Sequence, residues 1–291
     1  ILITVSDVLA YKFCPRYLFY KKIQVPDDNK IHPDSKHQAF HSLHLLLNKY
    51  DPRIIEKAKK KKNLDVVSHY YFEVLRKLSY KHRMEKNDSF TRLYENGVLQ
   101  GYISFLSSRR KEDIVSDGSI MGAFISNKNV VPKIFYGRQL MSYELGVMGE
   151  VDISREYWKK NTLKKLTFTQ IKLVKSIPRE YYENHALQLL MYRMMYEEHQ
   201  KEFFNSITDV ELEICYIDEA GHWEMKIVKV NEYLKEMAYD LIENTTTLLS
   251  QILKAKSLYQ KLDAASDLII ANMSLGTIKC KHCTPEKPCY K

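Results

Sequence analysis

Gly149-Glu150-Val151-Asp152 and, eighteen residues on from its end, Gln170-Ile171-Lys172 are the stretch whose reading decides the fold. Each half reads as a short strand. Met148 to Ile153 runs into a polar stretch. Leu166 to Leu173 alternates, with Leu166, Phe168, Gln170 and Lys172 on one face and Thr167, Thr169, Ile171 and Leu173 on the other. The connecting Ser154 to Lys165 is charged, and a turn is expected near Lys160-Asn161. If the strands pair as a hairpin, Asp152 meets Gln170 and Lys172 at one end of the ladder, because a period of two puts those two side chains on one face. A carboxylate, an amide oxygen and an ammonium gathered there suit a divalent cation bound to phosphate. Oxygen ligands favour Mg²⁺ or Mn²⁺, and the lysine would stand beside the attacked phosphate. The same residues also fit a plain solvated hairpin, so the rest of the chain has to decide.

Composition narrows the class. The chain has 291 residues, 45% hydrophobic and 28% charged, which gives ample core for one large domain or two modest ones. No apolar window reaches the length of a bilayer span and the N-terminus carries no signal-peptide pattern, so no membrane role and an intracellular site (cytoplasm or nucleoid, or a nucleus) are expected. A formal net charge of +9 favours an anionic partner, and the 21 tyrosines include candidates for stacking on bases.

The five cysteines are Cys14, Cys215, Cys280, Cys283 and Cys289. An odd number without a signal peptide argues against a secreted disulfide framework. Cys280, Cys283 and Cys289 form C-x-x-C-x5-C, a metal-ligand spacing that needs a fourth ligand from elsewhere. Cys14 stands before Pro15 and Arg16 at the end of a helix expected to start with Ser6 as N-cap, which makes it an accessible ligand position. Cys215, in an expected strand, reads as a buried small hydrophobe.

Between these landmarks, residues 26 to 36 read as a polar loop. A helix follows from about Lys36 to Lys49, with His37, His41 and His44 at helical spacings. Ile54 to Met84 is helical and basic, and its run Lys59 to Lys62 is either a solvated face or a phosphate contact. Glycines at 97, 101, 118 and 122 amid apolar alternation from Val98 to Phe124 suggest short strands and turns, and Pro132 to Tyr143 suggests a strand. Glu180 to His199 is an amphipathic helix with Tyr181, His185, Gln188, Tyr192 and Met195 along one stripe. Val210 to Ile217 and His222 to Val230 read as a hairpin across Asp218-Glu219-Ala220-Gly221, and Asn231 to about Lys261 as a long helix. There is no repeat and no clean domain boundary, so residues 1–291 read as one domain.

Four segments together resemble a known family: S-D-V-L-A-Y-K-F-C-P-R (6–16), S-Y-E-L-G-V-M-G-E-V-D (142–152), H-A-L-Q-L-L-M-Y (185–192) and the terminal cysteines. In this order they resemble the RecB-like branch of the PD-(D/E)XK nucleases that carries an iron–sulfur cluster, in particular the CRISPR-associated RecB-like (spacer-acquisition) nucleases. The AddB nuclease domain and the exonuclease V family are related. The resemblance covers both ends and the centre, and leaves roughly 50–130 as an insertion. It implies an α/β restriction-endonuclease-like core, a mixed central sheet flanked by helices. A 4Fe-4S cluster on Cys14, Cys280, Cys283 and Cys289 would staple residues 1–25 to 275–291; four thiolates would also suit zinc. It further implies that the motif histidine is His41, with His44 the next candidate. Asp152 becomes the metal-binding carboxylate, Lys172 the residue that orients phosphate and water, and Gln188 and Tyr192, with Arg16, the contacts to DNA or the brace for the lysine. The implied activity is Mg²⁺- or Mn²⁺-dependent cleavage of DNA at single-stranded ends or overhangs, in CRISPR adaptation or in repair and recombination. The implied partners are DNA and a CRISPR integrase or other recombination proteins. One position departs: Gln170 stands where the family has Glu, so the cation would lose a negative ligand. That fits a natural variant, a deliberate inactivation or a DNA-binding relative that hardly cuts. Glu144 and Glu150 are the carboxylates near enough in sequence to lend the missing charge.

Overall fold

A computed structural model describes residues 2–15, 18, 22, 35–61, 63, 65–84, 88–116, 132–159, 162–203 and 209–258. Among them six strands form one mixed sheet: β1 (Ile3–Thr4), β2 (Lys133–Ser142), β3 (Val147–Lys159), β4 (Thr162–Leu173), β5 (Val210–Ile217) and β6 (Trp223–Ile227). The helices are α1 (Val5–Phe13), α2 (Ser35–Lys61), α3 (Asp65–Met84), α4 (Asp88–Glu95), α5 (Val98–Ser116), α6 (Glu183–Phe203) and α7 (Glu232–Leu258). The expected α/β class, a mixed sheet flanked by helices, is what the chain adopts. No described helix is long and apolar enough to cross a membrane.

The helices cover both faces of the sheet. On one, α1, α6 and α7 bury Val5, Val8, Leu187, Met191, Ala238 and Ile242 against Val147, Val151, Leu166, Phe168 and Ile214. On the other, α2 to α5 bury Leu43, Leu47, Tyr71 and Tyr102 against Tyr136, Ile153, Cys215 and Ile217. Cys215 is thus the buried small side chain that its strand setting suggested. Residues 50–116, within the expected insertion, supply most of the covering layer for that second face, and Leu43 and Leu47 in the first half of α2 supply the rest.

The central hairpin is longer than expected. β3 and β4 pair antiparallel from Lys159↔Thr162 to Ile153↔Thr169, and β4 then pairs parallel with β5 along its whole second half. Two other expectations need correction. The first helix is capped by Thr4, not Ser6: Thr4 Oγ1 accepts from Asp7 N–H and Asp7 Oδ2 accepts from Thr4 N–H, a reciprocal box that lets the buried Val5 start the helix. Val98 to Ser116 is a helix, not strands and turns. Its buried residues Val98, Leu99, Tyr102, Ile103, Phe105 and Leu106 recur at helical spacing, and Gly101 marks a close approach, where a Cβ would lie 2.2 Å from Gly221 O. The histidine helix also runs on past Lys49 through Pro52 to Lys61. In the lysine run, Lys60 is exposed, while the side chains of Lys59, Lys61 and Lys62 lie outside the described residues.

A buried ion cluster joins three strands and a helix. Arg155 of β3 reaches Glu213 of β5 at 3.1 Å, Thr169 of β4 donates to the same carboxylate at 2.8 Å, and Arg109 of α5 reaches its other oxygen at 2.7 Å. Arg155 and Glu213 are both about 1% exposed, so neither has solvent to fall back on. Glu213→Gln should therefore cost about 3–5 kcal/mol, the usual penalty for stranding one member of a buried pair. Urea unfolding should show the midpoint falling with an unchanged slope.

Candidate functional site

Just above this ion cluster the sheet divides. The β3–β4 ladder stops at Ile153↔Thr169, while β1 touches β3 only at Val147 and Met148. Val147 already pairs Ser142 of β2, and Ile153 pairs Tyr136, so β1 and β4 share the opposite edge of β3. Among the described residues that edge has no strand beside Gly149 to Asp152, and β4 runs on from Gln170 to Leu173 paired only with β5. Asp152 fills the opening: its Oδ2 accepts the Ile171 amide at 2.6 Å in place of a ladder bond. Asp152 thus meets β4 at Ile171, between Gln170 and Lys172 in the chain, and its charge is felt by Lys172; all three were picked out from sequence.

From the other side α6 delivers two more of the expected residues. Lys172 Nζ donates to Gln188 Oε1 at 2.5 Å, and Gln188 Nε2 donates to Tyr192 OH at 2.8 Å. Helical spacing puts Gln188 and Tyr192 one turn apart on one face, so a single chain of hydrogen bonds fixes the lysine. Gly149 allows this: a Cβ there would stand 2.7 Å from the Tyr192 ring and 3.0 Å from Val5. The glycine of G-E-V-D lets α6 and α1 close on the strand. His185, one turn before Gln188, bonds Tyr216 OH through Nδ1 at 3.0 Å.

The third wall comes from α2, α5 and β2. His44 is buried and meets Tyr102 OH through Nε2 at 2.9 Å. Gly137 of β2 falls opposite Asp152, between the pairs Tyr136↔Ile153 and Arg138↔Val151, and has φ +65°. A Cβ at Gly137 would lie 3.1 Å from Glu150 Oε1 and 3.5 Å from His44 Nδ1, so this glycine brings the histidine and the second carboxylate over one spot. Both strands change face at this level. Tyr136 and Ile153 pack in the second core, whereas Val151 packs in the first and Arg138 stacks on Tyr196 of α6.

Electrostatics follows from the crowding. Burial pushes the Asp152 carboxyl up to about 6, and Glu150 adds to this, while the Ile171 amide and Lys172 pull it down. Burial lowers the Lys172 ammonium, opposed by Asp152. Burial, then the charge of Lys172, depresses His185 to about 4, so its ring is neutral at neutral pH. The Tyr102 hydroxyl is raised by burial and next by Asp152, which places that phenol within reach of the site's field.

Gln170 is the informative side chain. Its Oε1 is buried and has no hydrogen bond among the described residues. A buried amide oxygen left so costs about 1–3 kcal/mol. A bound cation that reached Gln170 Oε1 would remove that cost, and amide and carboxylate oxygens such as those of Gln170 and Asp152 suit a hard divalent ion such as Mg²⁺ or Mn²⁺. Among the described residues no three His, Cys, Asp or Glu side chains form a group that could hold a metal ion.

Of the other expected site residues, His41 lies on α2 one turn before His44, with its side chain outside the described residues, as is Arg16. Glu144 sits in the β2–β3 turn, whereas Glu150 is at the site. Cys14 is buried as the C-cap of α1, its N–H bonded to Ala10 O at 2.9 Å. Cys280, Cys283 and Cys289 lie outside the described residues. Sequence reading did not find Tyr102 or Gly137. Tyr102 was hidden by the misread helix, and the only signal for Gly137 was a lone glycine inside a strand pattern, which marks a close backbone approach. No protein-family model matches the chain, and no curated protein matches it.

The raised Asp152 carboxyl has a measurable consequence. With chelator present, the folded protein keeps this proton up to about pH 6, whereas the unfolded chain releases it near 3.8. The stabilising contribution is thus full below pH 4 and is lost as pH rises to 6. Asp152→Asn should raise unfolding free energy at pH 7, on the order of 2 kcal/mol, and flatten its decline between pH 4 and 6. Urea titrations across that range check both.

Proposed function

We infer that this chain is a divalent-metal-dependent nuclease that hydrolyses phosphodiester bonds of DNA at single-stranded ends or overhangs. The observation that carries it is that Asp152 joins β4 at the division of the sheet, where Lys172 is held by Gln188 and Tyr192 and the neighbouring Gln170 keeps a buried oxygen without a hydrogen bond among the described residues. A bound Mg²⁺ or Mn²⁺ would neutralise charge developing on the attacked phosphate and lower the pKa of a water it holds. Asp152 and Gln170 supply the oxygens for it. Glu150 adds negative charge that the amide of Gln170 does not. Lys172, steadied by Gln188, offers its ammonium to a phosphate oxygen, and the net charge of +9 draws in the polyanion.

The resemblance to the iron–sulfur branch of the RecB-like PD-(D/E)XK nucleases supports the same reading, because four of its motif positions, Asp152, Lys172, Gln188 and Tyr192, lie close together. On that reading Cys14, Cys280, Cys283 and Cys289 hold a 4Fe-4S cluster. Two features support it: Cys14 ends α1, and α1 packs against α7, the helix that leads into the cysteine-bearing tail. The natural partners are then DNA ends and the integrase or recombination proteins that use them. A second reading, a DNA-binding module of the same fold with little cutting, is favoured by one observation: the residue beside Asp152 is a neutral amide.

Gln170→Glu separates the two readings. It changes almost no volume and adds a negative ligand, so it should lower the Mn²⁺ needed for half-maximal cutting by about tenfold and raise the rate. Asp152→Ala and Lys172→Ala should abolish cutting of end-labelled DNA while leaving circular dichroism unchanged. If Gln170→Glu does nothing and Asp152→Ala cuts as well as the parent, the catalytic centre lies elsewhere.

For the cluster, protein purified without air should be brown, and Cys283→Ser should bleach it while Cys215→Ser does not. Zinc without iron in metal analysis would refute the iron–sulfur assignment.

A further inference from the structure

A groove of about 680 Å³ runs between α2 and strand β2, on the outer side of the candidate site. Among the described residues β2 pairs only with β3, so its other edge faces this groove. Gly137 lines the groove and is also the residue over which Glu150 and His44 converge, so groove and site adjoin at that glycine. From Lys133 to Gly137 the strand covers about 13 Å at ~3.3 Å per residue.

The lining combines charged and aromatic side chains. Phe135 is partly exposed, with Lys133 Nζ 4.7 Å and Arg138 Cζ 4.9 Å from its ring centroid. Arg110 lies at the base. Its Nη atoms bond Asp51 at 2.6 Å, Asp113 at 3.4 Å and Pro132 O at 3.1 Å, and its buried Nε has no hydrogen bond among the described residues. Of the three cations in the lining, Arg110 is thus paired with Asp51 and Asp113 and Arg138 is paired with Glu156 at 2.5 Å, while exposed Lys133 has no ion pair among the described residues.

An edge strand beside a groove also suits an added peptide strand, but the backbone of β2 is already engaged. Asn48 of α2 donates to Tyr136 O at 2.7 Å and accepts from Tyr136 N–H at 2.9 Å. A peptide would have to displace that clamp to pair there. An anion that brings its own flat rings would not. Duplex DNA keeps its base faces stacked on one another, so only unpaired bases can offer a face to Phe135.

We propose that the β2 groove binds the single strand leading to the candidate site, with Phe135 stacking on a base and Lys133 contacting a flanking phosphate. This rests on the nucleic-acid reading of that site and adds to it the path of the strand and the residues that select unpaired substrate.

The test uses the full chain in EDTA, so that nothing is cut, with a fluorescent oligothymidylate followed by anisotropy. Phe135→Ala should weaken binding about tenfold, Phe135→Trp should restore it, and a blunt duplex should bind both about equally. Lys133→Ala should reduce the slope of log affinity against log salt by about 0.7. On the unmutated protein, an oligonucleotide carrying 5-iodouracil should cross-link to the peptide holding residues 133–138. Unchanged affinity in Phe135→Ala with cross-links confined to other peptides overturns the proposal. So does an equal loss for duplex and single strand, which would mean bulk charge alone. Cutting is scored separately with Gln170→Glu. Cutting without groove binding sinks the groove and spares the hydrolytic site. Groove binding with no cutting at any Mn²⁺ concentration does the reverse.

Discussion

The structure depends on the buried contact between Arg155 and Glu213. It sits one step below the point where β3 and β4 part, and it ties β3 to β5 directly, to β4 through Thr169 and to α5 through Arg109. Without such a pin, two strands that separate at one end would be free to re-pair and close the opening. Burying two charges is expensive, and the cost is met only when each finds several partners. Here the Glu213 carboxylate takes three, which makes the geometry at the vertex hard to deform. The site above it inherits that rigidity.

Above the pin, chemistry follows from the missing ladder. The Ile171 amide would ordinarily bond a backbone carbonyl of β3, and it bonds the Asp152 carboxylate instead. That contact draws a charged group into a place with little solvent, which is why its carboxyl is held far above the ordinary aspartate range. Lys172 offsets part of this charge, and α6 holds Lys172 through Gln188. Packing of α6 on the first core therefore controls where the lysine stands, and Gly149 controls how near α6 comes. The opposite wall depends on Gly137 in the same way, through His44 and Glu150.

Much of this was legible in the chain. Alternation gave the strands around Asp152 and Lys172, and apolar spacing gave α6, so Gln188 and Tyr192 came out one turn apart. Both signals are local and follow from backbone geometry. The misread helix α5 shows the limit. Glycines at 97 and 101 look like turn residues in one dimension, yet Gly101 is there because the β5–β6 turn presses against the helix. That contact joins residues far apart in sequence.

The sequence by itself determined which residue types are available, a carboxylate, an amide, a lysine and a basic surface, and it put each on a definite strand or helix. Only the tertiary structure decided that the sheet opens between β3 and β4, that Gln170 keeps a buried oxygen without a hydrogen bond among the described residues, and that His44 stands at the site with Glu150. The reason is physical. Periodicity fixes which face of an element a side chain takes, but whether two strands stay paired is set by the helices packed on either side and by buried charges such as Arg155 and Glu213, which no local pattern encodes.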